Sequence, residues 1–183
     1  MERIKQALSD VVHHWTAIGM ITLFLFSVQP GPTITQAVIV KPIKTEKQLK
    51  REILSKFSND TYESSEMLSP EDLKSLLWAV GFEGAGLKTA WAVAKVESNG
   101  RPMALNDNKT TGDKSYGLFQ INMLGNLGVQ RLDKFDLVSN KELFDPVTNA
   151  EITYKMTKGG IDWSSWPNSI SQAQKLLIQF PVA

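Results

Sequence analysis

The chain has 183 residues, 42% of them hydrophobic and 21% charged, with a formal net charge of +1. That balance suits one globular domain with an N-terminal appendage, and it lacks the basic excess of a nucleic-acid partner. The absence of cysteine excludes thiol catalysis, cysteine metal sites and disulfides, and the only histidines, His13 and His14, precede the expected domain. A Ser-His-Asp triad and a His-based metal centre are thereby excluded from that domain, and no cofactor or metal is expected.

Residues 1–37 read as a signal peptide or membrane anchor. Arg3 and Lys5 precede Val11–Val28, a run free of Asp, Glu, Lys and Arg. Its strongly apolar part, Trp15–Val28, is short for a span of ~20 residues but fits a signal-peptide core of ~7–15. Gln29-Pro-Gly-Pro-Thr33 then breaks any helix. Membrane association through residues 11–28 is one expectation, and a buried N-terminal helix is the alternative.

Residues 38–68 read as a polar linker with one helix. In Glu46–Phe57, the residues Leu49, Ile53 and Phe57 recur at helical spacing and form a narrow apolar stripe. The main domain is expected over 69–183.

Ser69-Pro-Glu-Asp72 is a helix start, with Ser at the N-cap, Pro in the first turn and acids beside the positive end of the helix. The helix Pro70–Val80 carries Leu73, Leu76, Leu77 and Val80 on one side. After Gly81 and Gly84, a second helix is predicted over Gly86–Ser98. Leu87, Ala90, Val93, Ala94 and Glu97 share one face of it, while Lys88, Ala92 and Lys95 lie opposite. Glu97 therefore stands in the apolar stripe and in the last turn, where the helix dipole disfavours an anion. Both effects raise a carboxyl pKa, as a general acid near neutral pH requires. The alternative is a glutamate that reaches solvent at a frayed helix end.

Asn99-Gly100-Arg-Pro102 stops this helix. Met103–Lys114 is a loop, and its acids Asp107 and Asp113 fit turn chemistry. Ser115-Tyr-Gly-Leu-Phe-Gln-Ile-Asn122 then alternates apolar and small or polar residues. Gly117 allows close backbone approach, and Gln120 and Asn122 offer amides suited to sugar hydroxyls; a short strand packed on the core is the alternative. Short helical turns are expected around Arg131–Phe135. Asp145-Pro-Val-Thr-Asn-Ala150 starts another helix, running to Lys158 and stopping at Gly159-Gly160. Trp163 and Trp166 fit core or wall positions better than sugar stacking. Ser169–Phe180 reads as a last helix or a loosely packed tail.

Four pieces carry a resemblance: Ala94-Lys-Val-Glu-Ser98, Pro102 with Ala104 and Asn106, Ser115–Asn122, and Leu143-Phe-Asp-Pro-Val-Thr-Asn-Ala150. In this order and spacing, over roughly residues 70 to 167, the domain resembles the goose-lysozyme-like superfamily, specifically soluble lytic transglycosylase (SLT) domains. The Gly-Gly followed by Trp-x-x-Trp also resembles phage tail lysozymes. The resemblance implies a mainly α, lysozyme-like helical domain with a short irregular β/loop element lining a substrate groove. It implies peptidoglycan glycan strands as the partner, cut at the β-1,4 bond between N-acetylmuramic acid and N-acetylglucosamine. Glu97 matches the catalytic acid and Ser98 completes the Glu-Ser motif. Gly117, Leu118 and Gln120 match a Gly-Leu-x-Gln motif. Ser115, Tyr116 and Asn122 are expected at the groove, and Tyr154 is the candidate for a groove tyrosine in a helix that departs from the usual pattern. With no second carboxylate in evidence, a lytic transglycosylase is the leading expectation. A hydrolytic lysozyme, with Asp107 or Asp113 folding back to position water, and a non-catalytic wall-binding or phage structural module are the alternatives. Export or membrane anchoring facing the wall is expected, with association with a virion or a secretion assembly as a further option.

Overall fold

The computed structural model describes residues 43–182 other than 109 and 111. The chain divides into two units at Lys41/Pro42, and the second contains all the described residues. The expected leader or anchor, residues 1–37, lies outside them. Among the described residues no helix is long and apolar enough to cross a membrane.

Among the described residues six α-helices carry the fold: α1 (Glu46–Asn59), α2 (Pro70–Val80), α3 (Gly84–Ser98), α4 (Gly125–Phe135), α5 (Pro146–Met156) and α6 (Pro167–Leu176). Short 3₁₀ turns occupy Asn140–Phe144 and Leu177–Gln179. The fold is mainly α, as expected. The helix starts follow the local chemistry: Ser69 accepts from the Asp72 N–H at α2, and Asp145 accepts from the Thr148 N–H at α5, each followed by proline.

The core is built around α3, where Ala90, Trp91, Ala92, Val93 and Ala94 are all nearly inaccessible. The Trp91 indole N–H donates to the Pro70 carbonyl at 3.1 Å and fastens α3 to the start of α2. Leu73, Leu76 and Leu77 of α2, with Phe82, Phe119 and Leu143, complete the interior. Each such side chain contributes roughly 1.5–3 kcal/mol on burial. The Gly159-Gly160 turn lies against the first turn of α3, so close that a Cβ on Gly160 would lie 3.0 Å from the Gly86 Cα.

Three features differ from the sequence reading. The helix assigned to a linker is α1, and it belongs to the packed unit: Phe57 is buried in the core and α1 lies along α2. The apolar stripe is displaced by one position, Ile53, Leu54 and Phe57 facing inward while Leu49 is exposed. The short turns expected near Arg131 extend to an 11-residue helix, α4. Gly128 does not break it, because this glycine sits where a Cβ would come within 2.2 Å of the Met123 carbonyl oxygen. Of the two readings of the C-terminal segment, the last helix holds: α6 packs along the length of α3, with Ala173 buried.

The β element consists of three two-residue strands, β1 (Leu105–Asn106), β2 (Ser115–Tyr116) and β3 (Ile121–Asn122), in antiparallel order 1-2-3. The register aligns Asn106 with Ser115 and Ser115 with Asn122, and in a second row Leu105 with Tyr116 and Tyr116 with Ile121. Since alternate side chains point to opposite faces, the two rows face opposite ways. The polar row faces the cleft.

Candidate active site

Glu97 lies in the last turn of α3, half-buried, at a cleft of about 410 Å³. The polar strand row, Asn106, Ser115 and Asn122, forms one wall with Gln120. Trp166 and Asn168, at the start of α6, contribute another part of the lining, and Arg131 of α4 a third. The Ser169 hydroxyl donates to Glu97 Oε1. Asp113 lines the same cleft; its carboxylate accepts from the Asn106 amide at 2.8 Å and from the Ser115 hydroxyl.

These surroundings set the protonation of Glu97. Burial, the largest influence, pushes its carboxyl above the ordinary value; the Ser169 bond opposes this, and the negative charge of Asp113 adds to it. The net direction is upward, so the protonated form persists to higher pH than in a solvated glutamate. A protonated, half-buried carboxyl at the edge of an open polar cleft can deliver a proton to a bound acetal oxygen.

The residues behind the cleft are held by one buried side chain. Asn149 of α5 is inaccessible; its amide donates to the Tyr116 carbonyl at 3.0 Å and the Leu143 carbonyl at 2.8 Å, and its oxygen accepts from the Phe119 N–H at 3.0 Å. The turn between β2 and β3 is thereby clamped to α5. Gly117 is required there: its φ is +74°, and a Cβ would sit 2.2 Å from the Leu143 carbonyl oxygen and 2.3 Å from Asn149 Nδ2.

Against known families, residues 74–168 match the lysozyme-like domain. The chain belongs to the lysozyme-like domain family. No curated protein and no solved structure matches it. Membership suggests action on peptidoglycan and a chemistry of glycosidic-bond cleavage. In this lysozyme-like domain the expected site residues divide into two groups.

Glu97, Ser115, Gln120 and Asn122 come together at the cleft. Their roles are more restricted than amide chemistry alone suggests. The Gln120 amide donates to the Ala104 carbonyl at 3.1 Å and the Gly117 carbonyl at 3.0 Å, so both donors are spent within the turn and its oxygen is what remains for a ligand. Asn122 uses its side-chain oxygen to accept from the Leu124 N–H. Ser98, Tyr116, Gly117, Leu118 and Tyr154 do not line the cleft. Ser98 is buried, donating to the Leu118 carbonyl at 2.8 Å and to the Ala94 carbonyl at 3.1 Å; it fixes the end of α3 to the turn. Tyr116 belongs to the apolar strand row and packs on Phe144, ring centroids 5.3 Å apart. Leu118 is wholly buried. Tyr154 packs edge-on against Phe82 at 5.0 Å, beside Gly81. Two residues further along α5, about 200° around the helix, Met156 lines the cleft in its stead.

Sequence reasoning passes over Arg131, Ser165, Asn168 and Ser169, and names Asp113 only as turn chemistry or, in the hydrolytic alternative, as a holder of water. Asp113 does sit in a turn, its N–H donating to the Asn108 carbonyl. Its bonds to Asn106 and Ser115, side chains of the polar strand row, hold it at the cleft. Ser169 carries no local signal, because it reaches Glu97 only through the packing of α6 on α3. The tryptophans are wall residues: Trp166 is buried, donates to the Phe119 carbonyl at 2.8 Å and meets Trp163 at 5.7 Å.

Proposed function

We propose that the protein is a lytic transglycosylase that cleaves the β-1,4 bond between N-acetylmuramic acid and N-acetylglucosamine in peptidoglycan, with Glu97 as its catalytic acid and base. The observation that carries this reading is Glu97 itself: a half-buried carboxyl, raised in pKa chiefly by burial, on the wall of a polar cleft in a lysozyme-like domain. Glu97 first gives its proton to the glycosidic oxygen as the C1–O bond breaks, and the sugar ring takes on oxocarbenium character. The resulting carboxylate then accepts the proton of the substrate's C6 hydroxyl, whose oxygen bonds to C1 and closes a 1,6-anhydro ring. Atoms and protons balance without water, and Glu97 is returned protonated. Ser115, Gln120 and Asn122 line the substrate cleft. Because the substrate lies outside the cytoplasmic membrane, an exported or wall-facing location, or a place on a virion, belongs to the same proposal.

One observation favours a second reading, a hydrolytic lysozyme. Asp113 shares the cleft with Glu97, and a carboxylate there can hold the water that attacks C1. Mass spectrometry of the products from purified cell walls separates the two. Products 18 Da lighter than reducing-end fragments are the anhydro species expected of the transglycosylase; reducing ends alone would establish hydrolysis. Failure of wild-type protein to release any fragment would overturn both and leave a non-catalytic wall-binding module.

A further inference from the structure

Arg131 is a charged group for which the described part of the chain provides no counter-ion. It projects from the middle of α4, is half-buried, and lines the cleft. Among the described residues it forms no salt bridge; its Nη1 donates to the Asn122 carbonyl. Burial pulls the guanidinium below its ordinary value, and no neighbouring carboxylate offsets that, although Glu97 and Asp113 line the same cleft. A guanidinium has five donors in a planar fork suited to a carboxylate, and desolvating it without a partner is unfavourable. The cleft also continues past Arg131. A recess of about 270 Å³ shares Arg131, Met156 and Ser165 with it and adds Leu127, Gln130, Lys134 and Phe135, with no acidic residue in its lining. Two cations and a set of apolar side chains thus border the extension, while both cleft carboxylates lie on the Glu97 side.

We propose that Arg131, with Lys134, forms a carboxylate-binding subsite that captures the acidic substituent of the glycan strand next to the scissile bond. This rests on the reading of the cleft as a peptidoglycan groove and adds to it a specific anionic contact. Two sources supply that carboxylate. Peptide-bearing strands carry it on the stem peptide, whose side chains also suit the apolar part of the recess. Strands stripped of peptide carry a free lactyl carboxylate on the muramic acid. A guanidinium–carboxylate bond of this kind is worth on the order of tenfold to a hundredfold in affinity.

The test is titration calorimetry with the full chain in a Glu97→Gln background, which prevents turnover. Three probes are compared: a peptide-bearing glycan oligomer, the same oligomer after amidase treatment, and a chitin oligosaccharide with no carboxylate. Arg131→Gln is expected to weaken one or both carboxylate-bearing probes about tenfold or more and leave chitin binding within twofold. Arg131→Lys, which keeps the charge but loses the fork, is expected to recover part of the loss. Loss on the peptide-bearing oligomer assigns the stem carboxylate, and loss on the stripped oligomer assigns the lactyl group. An equal loss on all three probes would mean that Arg131 only supports Asn122 and the cleft wall, and would overturn the proposal, as would no loss on any. If Glu97→Gln with Arg131 intact binds none of the three, the groove reading fails first and the subsite falls with it. Thermal denaturation of each variant identifies a folding defect. Should Arg131→Gln be unfolded, Arg131→Lys and Lys134→Ala carry the comparison, and unchanged binding of both carboxylate probes to each would overturn the proposal.

Discussion

Replacing Asn149 by leucine keeps a side chain of similar size at a fully buried position but removes three hydrogen bonds at once. The amide donates to the Tyr116 and Leu143 carbonyls and accepts from the Phe119 N–H. Leucine offers none of these, and no water reaches a site with zero exposure. An orphaned buried N–H costs about 1–3 kcal/mol, and each lost carbonyl bond adds ~0.5–1.5 kcal/mol. Carbonyls keep a second lone pair, so the lower end applies to them, and leucine gains some apolar burial. The expected loss for Asn149→Leu is therefore about 2–4 kcal/mol, a large part of the ~5–15 kcal/mol that holds a domain together. Urea denaturation followed by tryptophan fluorescence reads it directly, since Trp163 and Trp166 pack on Phe119 at 6.4 and 6.3 Å. Activity on cell walls is expected to fall at temperatures where the variant is still folded, because the turn carrying Gln120 loses its anchor. A loss below about 1 kcal/mol would refute the idea that this one amide clamps the β element to α5.

Glu97→Gln is expected to lower wall-clearing activity by at least ~10²-fold, the lower end of what a positioned proton donor contributes, in a turbidity assay. The same variant should be more stable than wild type near neutral pH. A carboxyl whose folded pKa is raised binds more protons folded than unfolded, so stability falls as pH rises from the ordinary carboxylate value through the raised one. Removing the group removes that loss, and the advantage should vanish in acid. Ser169→Ala removes a donor that favours the carboxylate, so the basic limb of the activity–pH profile should move to higher pH. Asp113→Asn removes a charge that disfavours it, so that limb should move to lower pH; a switch of products from hydrolysed to anhydro ends would further identify Asp113 as the water-holding group. Gly117→Ala combines a positive φ with a 2.2 Å clash and should cost roughly 3 kcal/mol or more in a denaturation experiment.

What could be read from the chain alone was whatever the local pattern encodes. The α2 and α5 starts, the phase that puts Glu97 on the buried stripe, and the Gly117 turn all follow from residue type and spacing, and each is present. What was not legible depends on tertiary packing. Tyr116 and Ser115 are neighbours in sequence, yet strand register sends one to the core and the other to the cleft. Tyr154 and Met156 exchange roles because the face that α5 presents to the cleft is decided by its packing on α2 and α1. Asn149 stood within a quoted motif, but its three backbone partners come from two separate segments, so nothing local marks it as a clamp. The length of α4 was hidden for a related reason: Gly128, a helix-weakening residue, is tolerated there because the Met123 carbonyl occupies the space a side chain would need.

Glu97 has to serve as both acid and base in the proposed reaction, and its surroundings are built from opposed influences. Burial in the α3 stripe and the charge of Asp113 favour the protonated form that donates to the leaving oxygen. The Ser169 hydroxyl favours the carboxylate that must exist between the two steps. If burial acted alone, proton donation would be easy but the resulting anion would be poorly stabilised; a well-solvated glutamate would have the reverse fault. Ser169 arrives from α6, and α6 is placed by its long contact with α3, the helix that carries Glu97. The packing that buries the acid thus also brings the donor that limits the effect of burial. Asp113 acts from the facing wall, where the Asn106–Ser115 pair of the strand row holds its carboxylate in place. From there a fixed negative charge can stabilise positive charge on the sugar ring whether water or the C6 hydroxyl completes the bond.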